Sequence, residues 1–334
     1  MSQPDTEYDM RSQSLGESED TKGFLLGLVA MILAALAMSI SPSLVRLADV
    51  GPFASAFWRV FLALPILWIW MRYAEVAEPN APRASFTIPT ILAGIAFTGD
   101  LFFWHLSIMR TTIANATFFA TMAPLWVVIF GWLLLRQRVS RATLLGLLVC
   151  LAGGTALVVQ SLAFNPDRAV GDALAIITGA FFGLYFLAVG AARPGTNAAR
   201  VTFELSVITS AILFLIAFFF EPRILPQSIS GWCVLLALGL ISHAGGQGLL
   251  SVALGRLPTV FSSLVIFLES IAAALFAWFL FGENVTLLQA LGGIVIVAGI
   301  WIARPRTPED RRHGKCRMGC RYRVSERSQS MKRR

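Results

Sequence analysis

Charge is scarce in this 334-residue chain. Only 14% of its residues are Asp, Glu, Lys or Arg, against 56% hydrophobic residues and a mean hydropathy of +0.71. A soluble domain of this length has no means of burying that much apolar surface, so the solvent must be lipid. Histidine and cysteine are also sparse, at three and four. His313, Cys316 and Cys320 sit in a basic tail without a fourth ligand, and Cys150 and Cys233 lie inside apolar runs. That excludes a disulfide framework and gives no metal site; reduced thiols and no cofactor are expected. No HExxH, paired-aspartate or Ser-Lys motif is readable, and neither is a filter motif or a ring of one charge sign, so an intramembrane enzyme and a channel both lack their signatures. No polar stretch is long enough to fold as an extramembrane catalytic domain.

What the chain does hold is apolar runs. A spanning helix needs ~20 mostly apolar residues. Ten runs of this kind are predicted at 23–45, 53–72, 87–109, 113–135, 141–160, 170–191, 199–220, 231–254, 258–281 and 285–303. The acidic first 22 residues and the length of the first run argue against a cleavable signal, so that helix is expected to be retained. The net charge of +8 is concentrated in 304–334, after the last run. This reads as a cytoplasmic basic tail that touches anionic lipid head groups, not as a nucleic-acid site.

Short connections set the orientation, because Lys and Arg near helix ends stay in the cytoplasm. Arg72, Arg83, Arg136, Arg138, Arg141, Arg193, Arg200 and Arg256 fall on one side with Lys22, Arg304 and Arg306, whereas the other side has Arg46, Arg110, Arg168 and Arg223. Both termini are therefore expected to be cytoplasmic, in a multi-pass protein of the cell (inner) membrane.

Sliding the chain by 146 positions lays 110–157 on 256–303 without a gap, pairing Arg110 with Arg256, Trp132 with Trp278, Gly146 with Gly292 and Gly153 with Gly299. Each glycine pair is seven residues apart and shares one helix face, where a missing side chain lets another backbone approach. The run His243–Gly248 is Gly-rich but mid-span, so a nucleotide loop is not expected there. The layout is an acidic tail 1–22, repeats 23–160 and 161–303, and the basic tail 304–334. Since five is odd, the second copy must enter the membrane from the opposite side. The predicted fold is an all-α membrane protein of ten transmembrane helices as two inverted five-helix repeats, a recurrent design for alternating access.

The segments APLWVVIFGWLLLRQRVSRATLLGLLVCLAGG (residues 123–154) and LESIAAALFAWFLFGENVTLLQALGGIVIVAGI (residues 268–300) resemble the ends of two successive domains of the EamA family, in the drug/metabolite transporter superfamily. Glu269 stands where members usually carry a glutamate-proline pair, here followed by Ser270, and Gly282-Glu283 matches the closing pair. The resemblance implies a ten-helix bundle with a central cavity and transport of amino acids, nucleosides, other metabolites or drugs, often outward.

Ionisable groups in hydrocarbon are costly, ~2.5 to 3.5 kcal/mol on insertion scales, so each requires a cavity or a partner. Asp100 and Trp104 share a face of the third run and suit a cationic or hydrogen-bonding substrate group; Asp100 as a bundle-holding ion pair is the alternative. His243 and Gln247 share a face of the eighth run, with Glu269 in the ninth, as a substrate and proton-coupling set or a hydrogen-bonded core. His105 lies off the Asp100 face and is expected to be packed. Pro124 interrupts the fourth run and frees a carbonyl, with Asn115, Thr117 and Thr121 before it. Tyr185 is a cavity aromatic. Arg59 and Glu204, equivalent across the repeat, are gating or helix-anchoring groups with partners other than each other. The sum is a secondary transporter of a small polar metabolite, an amino acid or related compound, or a drug-efflux protein, and not an enzyme; a membrane scaffold or lipid-handling protein is the alternative.

Overall fold

In the computed structural model, residues 4–77, 79, 84–158, 168–281 and 286–305 are described. Arg83, Arg306, Gly282-Glu283, His313, Cys316, Cys320 and most of the basic tail lie outside the described residues, as do the side chains of the acidic tail up to 20. Two units are separable: a body, Leu26–Ala303, and a terminal unit of Met1–Leu25 with Arg304–Arg334.

Every regular element described is helical: α1 (Pro4–Ser39), α2 (Ser41–Leu47), α3 (Pro52–Phe61), α4 (Leu64–Ala77), α5 (Ile88–Ile108), α6 (Ile113–Thr121), α7 (Ala123–Leu135), α8 (Arg141–Val158), α9 (Ala169–Ala192), α10 (Ala198–Phe220), α11 (Ile229–Ala237), a π-helical turn set (Leu238–Gln247), α12 (Gly248–Leu254), α13 (Thr259–Val265), α14 (Leu268–Phe281) and α15 (Leu287–Ala303). Helix α1 starts well before the predicted residue 23, with Pro4 at its start and no further proline before Pro42. Among the described residues, eight helical stretches are long and apolar enough to cross a membrane, beginning with Thr21–Leu47 and ending with Thr259–Phe276; two shorter apolar helices, Arg141–Leu157 and Leu287–Ala303, occupy the fifth and tenth predicted runs.

Several spans are built from two helices in series, and proline explains most of the joints. Pro42 opens α2, Pro65 follows the bend at Leu62–Ala63, and Pro124 opens α7 after the break at Met122, because a proline lacks the N–H that would continue the ladder. The break between α13 and α14 falls at the repeat-equivalent place without a proline. There Ile266 and Phe267 bond back to Ser263 and Leu264, three residues earlier, so the turn tightens and stops. The two breaks touch through a 2.9 Å hydrogen bond between Thr121 Oγ1 and Ser270 Oγ.

Helices α8 and α15 pack backbone to backbone. A Cβ added at Gly153 would stand 2.6 Å from the Gly292 carbonyl oxygen, and one at Gly146 would stand 2.5 Å from that of Gly299. Between these two approaches, the Cys150 thiol reaches the Ile296 carbonyl at 3.5 Å. Only glycine fits such a seam, which is the small-residue packing of membrane helices.

Candidate functional site

Arg59 comes from α3, Asp100 from α5 and Glu269 from the first turn of α14, and all three line one internal cavity of about 40 Å³. Trp104, Thr117, Thr121 and Gln247 share the lining, together with Met38, Ser41 and Phe182. That volume holds about three waters and no metabolite. The cavity is polar because α3 and α5 each turn a charged residue away from lipid: Arg59 is 4% exposed and Asp100 8%.

Arg59 Nη2 donates to Ser242 Oγ at 3.0 Å, and Ser242 in turn shares a short hydrogen bond with Ser41. The guanidinium carbon lies 5.6 Å from the Trp104 ring centroid, a cation–π placement. Among the described residues, Arg59 Nε has no hydrogen-bond partner and no ion pair closes between Arg59 and Asp100 or Glu269. One cation and two carboxyl groups thus face a shared space with unspent hydrogen-bonding capacity. The π-helical turns widen the helix that carries Ser242, His243 and Gln247, a distortion frequent at functional sites.

Of the other expected residues, Tyr185 stands one layer back and donates its hydroxyl to Gln247 Oε1 at 2.9 Å. His243 packs on Phe97 and shares a 2.8 Å hydrogen bond with Ser206, away from the cavity lining. Asn115 donates to Asp172 Oδ1 at 3.2 Å and so ties α6 to α9. Pro124 is buried at the break. His105 is fully buried and donates from Nδ1 to the Leu101 carbonyl. Arg59 lies in the cavity, whereas Glu204 lies at one end of the bundle. Met38, Ser41 and Phe182 had no sequence signal, since each is an ordinary residue for an apolar span.

Both ends of α10 are tied down by carboxylates. Near its start, Glu204 accepts from Ser85 Oγ (2.7 Å), the Phe86 amide (2.8 Å) and Arg200 (3.3 Å), and Arg200 also pairs with Glu75. Just past its end, Glu221 accepts from the Phe53 and Ala54 amides at 2.6 and 3.1 Å, capping α3. Partial burial pushes the Glu221 carboxyl above its ordinary range, against the opposing pull of the two amides. From before α3, Asp49 returns the favour by accepting from the Gln227 amide and from the Ser228 amide and hydroxyl at the head of α11. The Ser228 hydroxyl chiefly holds the Asp49 carboxyl below its ordinary range. Trp58 adds a bond from its indole N–H to the Ile224 carbonyl at 2.7 Å.

The EamA-like transporter family matches residues 21–159 and again 169–304, so the chain belongs to that family, a class of multi-pass membrane transporters. An uncharacterized transporter of Archaeoglobus fulgidus is 25% identical over 83% of this chain and 96% of its own length. The pseudopaline exporter CntI of Pseudomonas aeruginosa is 24% identical over 84% of this chain and 96% of its own. A solved crystal structure superimposes with a TM-score of 0.69 at 20% identity, covering 85% of this chain and 96% of the other, and supports the fold.

Proposed function

We propose that this protein is a secondary transporter that moves a small polar or zwitterionic metabolite, an amino acid or a related compound, by alternating access between two inverted five-helix repeats. The observation that carries this reading is the convergence of Arg59, Asp100 and Glu269 from both repeats on one cavity. A guanidinium suits a carboxylate in bidentate fashion, and carboxyl groups suit an ammonium. Trp104, Gln247 and Thr121 complete a wall that can orient such a ligand.

Inversion of the repeats, with α8 and α15 as the fifth and tenth spans, is supported by the glycine seam. Gly146 meets Gly299 and Gly153 meets Gly292, so each contact is the repeat-exchanged copy of the other. Reciprocal contacts of this kind are what a two-fold axis produces. The similarity to a pseudopaline exporter favours export as the direction. Loop arginines favour cytoplasmic termini in the cell membrane.

The test is a thermal-shift screen of the purified protein against amino acids, nucleosides and cationic drugs, because a ligand that binds only the folded state raises its melting temperature. Hits confined to one zwitterionic class, lost in Asp100→Asn and in Arg59→Lys, are expected. Binding and vesicle transport that survive both substitutions would refute the assignment of the site.

A further inference from the structure

Away from the polar cavity, an apolar groove of about 1020 Å³ runs between α3, α4 and α10. Its floor on α10 is Val207, Ala211, Phe214 and Phe218, spaced four, three and four apart and hence on one helix face; Phe57 of α3 packs on Phe214 with ring centroids 5.3 Å apart and so joins the floor, and Phe61 flanks it. Glu221 and Arg223 stand at its mouth. From Val207 to Glu221 the helix rises ~21 Å at ~1.5 Å per residue. Half of a bilayer that is ~40 to 45 Å thick with its head-group layers is ~20 to 22 Å, of which ~15 Å is hydrocarbon. The groove therefore runs from the membrane surface to about the midplane, which is the reach of a single acyl chain and not of a membrane-crossing path.

The charges at the mouth select the head group. Glu221 is held in place by the Phe53 and Ala54 amides, one on each oxygen, and a carboxylate keeps further acceptor sites after two such bonds. Arg223 is exposed, and among the described residues it makes no hydrogen bond and no ion pair, not even with Glu221 two residues away. A fixed anion and a free guanidinium side by side complement a group that is itself a dipole: a phosphodiester for the arginine and an ammonium donor for the carboxylate. An anionic phosphatidylglycerol head would leave Glu221 facing like charge. A hydrophobic cation would leave Arg223 doing so.

We propose that this groove is a lipid site that takes one phospholipid with a primary-amine head group, its phosphate on Arg223, its ammonium on Glu221 and one acyl chain along α10. The site is independent of the polar cavity, so it stands or falls apart from the transport reading.

Native mass spectrometry of the whole protein, released from detergent after incubation with equal amounts of phosphatidylethanolamine, phosphatidylglycerol and phosphatidylcholine, tests this directly. One bound phosphatidylethanolamine per chain is expected to outlast the other two lipids. Arg223→Ala should weaken its retention about tenfold, the scale of losing a charged hydrogen bond. Ala211→Trp, at an exposed position that points into the groove, should weaken retention of every lipid. Equal retention of the three lipids by the unmodified protein overturns the proposal, and so does phosphatidylethanolamine binding unchanged in both variants. Capture of a cationic amphiphile such as tetraphenylphosphonium in preference to phosphatidylethanolamine also overturns it. The three-lipid competition needs no variant, so a substitution that fails to fold leaves the proposal open to refutation.

Discussion

Replacing Gly153 with alanine should cost the bundle more than any chemical difference between the two residues suggests. The new Cβ would stand 2.6 Å from the Gly292 carbonyl oxygen and 2.9 Å from the Ile296 amide, both backbone atoms that have no rotamer to yield. Relief requires α8 and α15 to separate by roughly 0.6 Å, a gap that forfeits about a quarter of each dispersion well along the seam. With ~50 atom pairs of ~0.15 kcal/mol each, the loss is about 2 kcal/mol, within the ~1 to 3 kcal/mol typical of overpacking. Alanine's better helix propensity returns up to ~1 kcal/mol, and Gly23→Ala isolates that gain because none of the described residues lies within 4 Å of a Cβ there.

Equilibrium unfolding in mixed detergent micelles measures the difference between Gly153→Ala and Gly23→Ala, expected at about 2 kcal/mol. The same seam predicts non-additivity. A Cβ at Gly292 meets the Gly153 carbonyl at 2.7 Å, so the double variant opens a gap that one substitution has already opened. The pair should cost at least ~0.5 kcal/mol less than the sum of its parts, whereas Gly153→Ala with Gly183→Ala, on α9 against α7, should be additive. Equal stability of Gly153→Ala and Gly23→Ala, or strict additivity at 153 and 292, would falsify the account of the seam and remove the support it gives to inverted repeats.

Three further outcomes follow from the same contacts. Asp49, whose carboxyl is held below its ordinary value, contributes stability above pH 3.8 that is lost as the pH falls through its lowered folded value; thermal melts between neutral and acid pH should show this slope in the unmodified protein and lack it in Asp49→Asn. In a background freed of other cysteines, Ala120→Cys in the cavity wall should react with an impermeant maleimide from one face of a vesicle in Glu204→Gln and from the opposite face in Glu221→Gln; labelling from the same face in both would refute a role for these carboxylates at opposite ends. Glu269→Gln should weaken any ligand bound through an ammonium by about tenfold or more without moving the melting temperature of the ligand-free protein downward, since no ion pair is lost.

Much of this architecture is legible in the sequence, for local reasons. The hydropathy runs fix helix positions, Pro124 marks the joint in the fourth run, and the seven-residue glycine spacing marks a close approach, whereas the joints at Pro42 and Pro65 fall inside runs read as continuous. Asp100 and Trp104 lie on one face by helical geometry alone, and both reach the cavity. The joint between α13 and α14 was not readable because Ser270 replaces the proline that announces its counterpart at 124. Nor was the destination of Arg59, which depends on where the Ser242 hydroxyl falls within a π-helical stretch far along the chain. The caps by Asp49 and Glu221 bridge loops separated by well over a hundred residues, and nothing in either loop's composition names the other.

The small cavity and the tied ends of α10 together set an energetic condition for transport. A site with room for about three waters must enlarge to admit a metabolite, and enlargement means separating spans that Glu204 fastens at one end and Glu221 and Asp49 at the other. Hydrogen bonds to charged groups are worth ~1.5 to 3 kcal/mol each, so releasing either end costs several kcal/mol, comparable with the ~5.5 kcal/mol that moves a two-state equilibrium from one hundredth to its inverse. A ligand supplies that sum only if its affinity differs between the closed and open forms. Arg59 Nε, without a protein partner among the described residues, and two carboxyl groups without an ion pair there are the atoms able to supply such a difference, because a zwitterion completes bonds that the protein's own side chains leave unmade. A purely apolar ligand completes none of them, which is why the charge content of the cavity, rather than its size, argues for a polar cargo.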